Sequence, residues 1–452
     1  VIGKTLRIFT AFFVLALLVT TGARAESLTD ALIAAYKNSG LLQQNRALLR
    51  AADEGVARAV SGLRPVLNYA LGAQYSSITE TTSSNLQLTA SMMLYDFGRS
   101  KLRVDVAREN VLALREALVG VEQSVLLRAV AAYANVRRDT SIVGLRENNL
   151  RLITQELRAA QDRFDVGEIT RTDVAIAQAR LASSDSALAA ARGNLAVSRE
   201  EYRSAVGHAP GTLRALPKPP ATAKSPASAR ALARQRHPDM AQAQHSVTIA
   251  DINVELARAA IKPALTGSAR ASIDQNGNDS SSIGVTLSGP IYQGGALTSA
   301  YRQAVAQRDA ARAGLHLAGL KVDQDVGNAW ARLTVADARL QATEQQIRAS
   351  RVAYRGTKQE AEVGSRTTLD VLNAEQELLD AQSGQISAQT DRHIAVYNLL
   401  AAMGLLTADH LRLGLATYDP AAYYDAVKSA PTYPVSPQGK KLDSLLKSIG
   451  KK

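Results

Sequence analysis

Apolar residues recur every three to four positions through most of this chain, and two stretches break that period by alternating every second residue. Helical text begins at Ser27. Ser27 or Thr29 offers an N-cap, Leu28, Leu32 and Ala35 set the phase, and Arg64-Pro65 closes it, so helices are expected over 27–64. The period then becomes two. Leu67, Tyr69, Leu71, Ala73 and Tyr75 share one face, with Asn68, Ala70, Gly72 and Gln74 on the other. After a polar loop, Ser76 to Asn85, Leu86, Leu88, Ala90, Met92 and Leu94 alternate with Gln87, Thr89 and Ser91. This is a β-hairpin over 66–95 whose strands, about ten residues each, have membrane-barrel length. From Gly98 to near Asp165 no proline occurs, enough for one helix of about 100 Å. Its apolar seam runs Val104, Ala107, Val111, Leu114, Leu118, Val121 and Val125. A returning helix carries Val174, Ala177, Leu181, Leu188, Ala191 and Leu195. Such seams are coiled-coil packing.

The sequence then repeats itself. Ile261-Lys262-Pro263 closes a helix as Leu63-Arg64-Pro65 does. Leu265, Gly267, Ala269, Ala271 and Ile273 alternate with polar neighbours, and Ile283, Val285 and Leu287 do so after the loop Asp274 to Ser282. Val322, Val326, Ala329, Leu333, Ala336, Leu340 and Ile347 form the long seam, answered by Val371, Ala374, Leu378 and Ala381. Leu372, Leu379 and Ile386 add a second stripe, which a helix with neighbours on two sides needs. The turns between the long helices match as well. DVGEITRTDV (Asp165–Val174) and EVGSRTTLDV (Glu362–Val371) share a constant spacing of 197 residues, from Val166 to Val363. The many alanines suit a wall one helix thick better than a solid bundle.

The expected organisation is a signal peptide over 1–25 and a first repeat over 26–207, with its long helical hairpin at 98–206. A proline-rich linker follows over 208–227. The second repeat, 228–407, has helices over 228–262, a β-hairpin over 264–292 and a long hairpin over 296–404. A C-terminal segment over 408–452 comes last, its Leu411–Pro437 part read as irregular and packed outside the helical body. Lys4 and Arg7 before the apolar run Ile8–Val19, then Ala23-Arg24-Ala25, have the form of a secretory signal. Twelve residues are too short to span a bilayer as helix, and no later stretch is expected to do so.

One alternating hairpin alone is most simply a half-buried soluble one. Two equivalent hairpins in an exported chain point to a bilayer instead. Four strands cannot close a barrel, so identical copies would have to pool them. Tyr95 with Gly98, and Tyr292 with Gly294-Gly295, mark the strand-to-helix bends, the tyrosines suiting a lipid–water interface.

Composition narrows the chemistry. The formal charge of +12 falls to +9 without Lys4, Arg7 and Arg24. The remaining basic residues are interspersed with acidic ones along helices, except in the tail clusters Lys440-Lys441 and Lys451-Lys452. With no cysteine there is no disulfide, thiolate site or lipid-anchoring thiol. The six histidines keep no metal-ligand spacing, and no nucleophile elbow, P-loop or dinucleotide fingerprint occurs. Scarce aromatics, at 4%, argue against base stacking and nucleic acid. No enzyme, metal or cofactor is indicated.

The duplicated helix–hairpin–long helix–VG turn–helix order, with PIYQGG (Pro290–Gly295) and VGSRTTLDVLNAEQ (Val363–Gln376), resembles the TolC family of outer-membrane efflux and secretion channels over about residues 26–415. The resemblance is stronger to the type I secretion branch than to the lipoprotein branch. It implies a mainly α fold with a membrane β part: a homotrimer pooling strands into a twelve-stranded outer-membrane barrel above a periplasmic helical tunnel. It also implies outer-membrane lipid around the barrel, a periplasmic adaptor at the tips, and an inner-membrane ABC or RND-type pump as the energy source. By resemblance Asp370 rings the pore, Arg366 links hairpins to Asp173 beside Thr172, and Val166-Gly167 with Val363-Gly364-Ser365 meet the adaptor. Asn373 stands where the family has a second acid, and Ala361 where it often has tyrosine, which implies a weaker closed state. The competing class is a periplasmic adaptor without a pore of its own.

Overall fold

A computed structural model describes residues 25–78, 80–430 and 444. The expected signal sequence, apart from Ala25, and the basic tail clusters lie outside the described residues. The element order is α1 (Leu28–Asn38), α2 (Gly40–Ser61), β1 (Val66–Ser76), β2 (Thr81–Tyr95), α3 (Arg99–Asp165), α4 (Arg171–Val206), α5 (Pro226–Arg236), α6 (Pro238–Ala259), β3 (Ala264–Asp274), β4 (Asp279–Ser288), α7 (Ala296–Glu362), α8 (Thr368–Ala402) and α9 (Pro420–Val427). Two compact units cut across the sequence repeats. One gathers the residues up to Ser39 with Val125–Thr222 and Ala329–Leu400; the other gathers Gly40–Ser124, Ala223–Asn328 and the residues from Ala401 on.

The first unit is helical. Its core holds Leu126, Ala129, Val130, Tyr133 and Ala134 of α3 against Tyr202 and Val206 of α4, all fully buried. An 18-residue window of α3 reaches a mean hydropathy of 1.3, enough by composition to cross a bilayer, contrary to the expectation that no later stretch would. Somewhat under half of that window, 44%, is buried within the chain. The linker is fastened to the body by a parallel bridge between Glu26 and Leu213. The Tyr133 hydroxyl closes that joint, 2.9 Å from the Glu26 carbonyl and 2.8 Å from that of Arg214. The seam phases hold: Ala329, Ala336 and Ile347 are buried on α7, as are Val371, Leu372, Leu379 and Ala381 on α8, and in the second unit Val322 and Val326 of α7 are buried too.

The second unit carries the sheet, antiparallel throughout in the order β1-β2-β3-β4. Its loops are shorter than the sequence suggested, because the Thr-Ser run at Thr81–Ser84 continues β2 and pairs with Ala73–Ser76, while β4 begins at Asp279. Threonine favours a pleated strand even where both faces are polar. The strand text also stops at Ser288 rather than near Tyr292.

The helical spans expected over 27–64 and 228–262 each contain two helices. Ser39 and His237 sit in extended backbone at the breaks. Pro238 accounts for the second, since a residue before proline is pushed out of the α region. Each break receives the end of its repeat's last helix. Gly207, the left-handed cap of α4, lies against Asn38, whose Nδ2 donates to the Val206 carbonyl at 3.1 Å. Gly404, after α8, lies against Arg236 and His237. The C-terminal segment, read as irregular, contains α9. Asp419 caps it by accepting from the Ala421 amide at 2.8 Å, and Pro420 occupies its first turn. Tyr423 and Val427 bury against Ala57 of α2, and the Tyr423 hydroxyl donates to Glu54 at 2.6 Å.

Candidate functional site

Two regions carry the chemistry, and the sheet is the simpler. Directly paired residues share a face, so the register places Leu67, Ala90, Ala269 and Ile283 in one row. Tyr69, Leu88 and Ala271 form the next, and Leu71, Leu86 and Ile273 the one after. Tyr69 is 79% exposed and Ile283 90%. The opposite face carries Asn68, Thr89, Arg270 and Ser282 in one row, and Gln87, Ser272 and Ser280 in the next. The first face is thus mainly apolar, reaching β4 at Ile283, Val285 and Leu287 while Ser281 and Asp279 complete the next two rows, and the other face is mainly polar. The outer edges of β1 and β4 carry no strand partner among the described residues.

At the bends, Tyr95 and Tyr292 are exposed, and Gly98, Gly294 and Gly295 all take positive φ. Tyr95 stacks edge-on against Phe97 at 4.8 Å. Asp96, between the bend residues Tyr95 and Gly98, starts α3 by accepting from the Gly98 and Ser100 amides at 3.1 and 2.7 Å. Its signal was an acidic residue four positions before a serine at the helix start.

The second region is the end of the long hairpins, in the first unit. Each chain reversal turns on a glycine with positive φ, +83° at Gly167 and +77° at Gly364, where a left-handed residue ends one helix before the next begins. Gly167 donates to the Phe164 carbonyl and Gly364 to that of Ala361, leaving Val166 and Val363 strongly exposed at the tips beside exposed Ser365. The following helices start with identical capping boxes. Thr170 Oγ1 accepts from the Asp173 amide at 3.3 Å while Asp173 Oδ2 accepts from the Thr170 amide at 3.0 Å; Thr367 and Asp370 repeat this at 3.2 and 3.0 Å. Hydrogen bonds from Thr170 hold the Asp173 carboxyl below its ordinary range. Those from Thr367, with a smaller pull from Arg366, do the same for Asp370. Both are acceptors and both stay ionised.

Arg366 does not reach Asp173 in this structure. Its Nε donates to Glu360 Oε2 at 2.9 Å, across the turn on its own hairpin, while Asp173 is occupied by its cap. Thr172 is exposed on the first turn of α4. The contacts that do join the hairpins lie further along the helices and were missed in the sequence. Arg180 of α4 donates to Asn373 of α8 at 2.7 Å, Lys358 of α7 to Glu156 of α3 at 3.4 Å, and Asn149 of α3 to Glu375 of α8 at 3.0 Å. Asn373, the departure from the acidic pattern, is thus an acceptor for an arginine. No spacing rule exposes pairs about 200 residues apart. Among the described residues no group of three His, Asp or Glu side chains is placed to hold a metal ion.

A two-faced sheet together with duplicated long helical hairpins defines the outer-membrane efflux channel class of fold. The outer membrane efflux protein model matches residues 32–208 and 229–405, one span per repeat, and the chain belongs to that family. The outer membrane efflux protein BepC of Brucella suis is 38% identical over 416 residues, covering 90% of this chain and 91% of the relative. The outer membrane protein TolC of Vibrio cholerae is 28% identical, covering 85% and 92%. The crystal structure of CusC, described for its folding and transmembrane channel formation, superposes with a TM-score of 0.75 at 19% identity, covering 84% of this chain and 92% of that one. The protein is accordingly one of the outer membrane, extending into the periplasm.

Proposed function

We propose that the protein is the gated exit duct of a tripartite efflux or type I secretion machine. Three copies pool their sheets into a twelve-stranded barrel, and their long helices form the periplasmic tunnel. It conducts passively. A periplasmic adaptor meets the exposed tips at Val166-Gly167 and Val363-Gly364-Ser365, and an inner-membrane pump of the ABC or RND type supplies energy. The observation that carries this reading is the sheet, one face of which is mainly apolar over four strands and whose two outer edges carry no strand partner among the described residues. In hydrocarbon every backbone polar group must be paired, so such a sheet is complete only when neighbouring copies close it. A periplasmic adaptor without a pore would have no use for that face.

At the tip, Asp370 carboxylates from three chains would ring the pore and favour cations. Arg366 would exchange Glu360 for Asp173, beside Thr172, as the hairpins rearrange. The ring is tested by single-channel recording in planar bilayers, comparing wild type with Asp370→Asn. Asparagine keeps an oxygen to accept from the Thr367 amide, so the cap survives while the charge goes. Cation selectivity is expected to fall several-fold with the openings otherwise retained. Unchanged selectivity would discard the ring, and folded protein without openings would return the pore-less adaptor.

A further inference from the structure

Of the contacts joining the hairpins, one is sealed from water. Asn149 and Glu375 are each 5% exposed, and the Asn149 Nδ2 donates to Glu375 Oε1 at 3.0 Å. The other carboxyl oxygen, Oε2, is buried and has no partner. An ionised carboxylate has room for about four hydrogen bonds, and this site supplies one donor. The wall of an adjoining cavity of about 280 Å³ adds Leu145, Asn148 and Leu152 of α3, Tyr354 of α7, and Leu378 and Gln382 of α8. The charged neighbours are Glu156 on α3, Lys358 on α7 and Arg180 on α4. Both cations are already engaged, Lys358 by Glu156 and Arg180 by Asn373. Glu375 therefore sits buried and under-donated at the junction of two hairpins, five residues beyond Asp370.

We propose that the Asn149–Glu375 contact is a proton-operated lock: protonated Glu375 holds α3 against α8, and ionised Glu375 draws water into the contact and lets the hairpins part. This rests on reading the tips as the closable end of a duct. The electrostatics agree. Burial, with a smaller push from Glu156, raises the Glu375 carboxyl to about 7 against the pull of Asn149, Lys358 and Arg180. In the parted state the carboxyl is hydrated and returns toward its ordinary value of 4.5. The closed contact is then the state that binds the proton more tightly. Closure is fully favoured below pH 4.5, weakens as pH rises toward 7, and changes little above that. Asp173 and Asp370, held below the ordinary carboxylate range, stay ionised throughout the window.

The test combines two readouts on full-length trimers. In planar bilayers the closed–open equilibrium of the wild type is expected to shift toward open by about tenfold or more between pH 5.5 and pH 8. Glu375→Gln, uncharged at every pH and still able to accept from Asn149, is expected to stay closed at both. Hydrogen exchange, corrected for intrinsic rates, is expected to show residues 145–152 and 372–379 losing protection at pH 8 in the wild type alone. A Glu375→Gln protein that responds to pH like the wild type overturns the lock, as does a flat wild-type response in both readouts. Absence of openings from either protein at either pH would count against the duct reading, and hydrogen exchange would still decide the lock.

Discussion

Gly404→Val is expected to cost about 3–5 kcal/mol and to leave little folded protein. Two effects add at this position. Gly404 has φ +74°, a region in which a β-branched residue is strained by about 1–2 kcal/mol. A Cβ there would also lie 2.7 Å from His237 Cα and 2.8 Å from the Arg236 carbonyl oxygen. Both are backbone atoms at the break between α5 and α6, and Pro238 fixes that break, so neither can swing aside as a side-chain tip would. Thermal melting followed by helical circular dichroism checks the expectation. Gly193→Val is the control: Gly193 lies within α4, has no neighbour within 4 Å of an added Cβ, and should melt near the wild type. If the two variants melt together, the joint at His237 is looser than its geometry indicates.

Gly364→Arg is expected to leave the protein folded and exported to the outer membrane, yet to reduce transport at least tenfold. Its φ of +77° imposes a modest strain of about 1 kcal/mol, and an added Cβ meets nothing within 4 Å. The fold tolerates the change because the tip is open space. Function does not, because the guanidinium projects beside Val363, 80% exposed, on the surface proposed to meet the adaptor. The measurement pairs a transport assay with trimer abundance in outer-membrane fractions. Normal transport would remove the tip from the adaptor interface; reduced transport with reduced abundance would reclassify the effect as folding.

The architecture was legible in the sequence because it is written in periods. Intervals of three and four marked the seams now buried at Val322, Val326 and Val371, and alternation marked the strands whose register aligns Tyr69, Leu88 and Ala271. The helix breaks at Ser39 and His237 were not legible as breaks. Pro238 alone could have suggested one, and Ser39-Gly40 interrupts no apolar seam strongly enough to show. At the tips, the matching Thr170/Asp173 and Thr367/Asp370 pairs were visible, but their first duty is local capping. For Arg366 the near acid, Glu360, wins over the distant Asp173 because nothing need rearrange to reach it. Glu375 and Asn149 were invisible, since a carboxylate on a polar-looking helix gives no sign of being sealed until its partner helix is in place.

The open edges of β1 and β4 also bear on inheritance. In the proposed trimer each copy closes the sheets of its two neighbours, so no copy completes its membrane part alone. When a cell makes intact and defective chains in equal amount, only about one assembly in eight contains three intact copies. A chain that folds and assembles but cannot conduct, as Gly364→Arg is expected to be, should therefore act as a dominant allele. One that fails before assembly, as Gly404→Val should, is expected to be recessive.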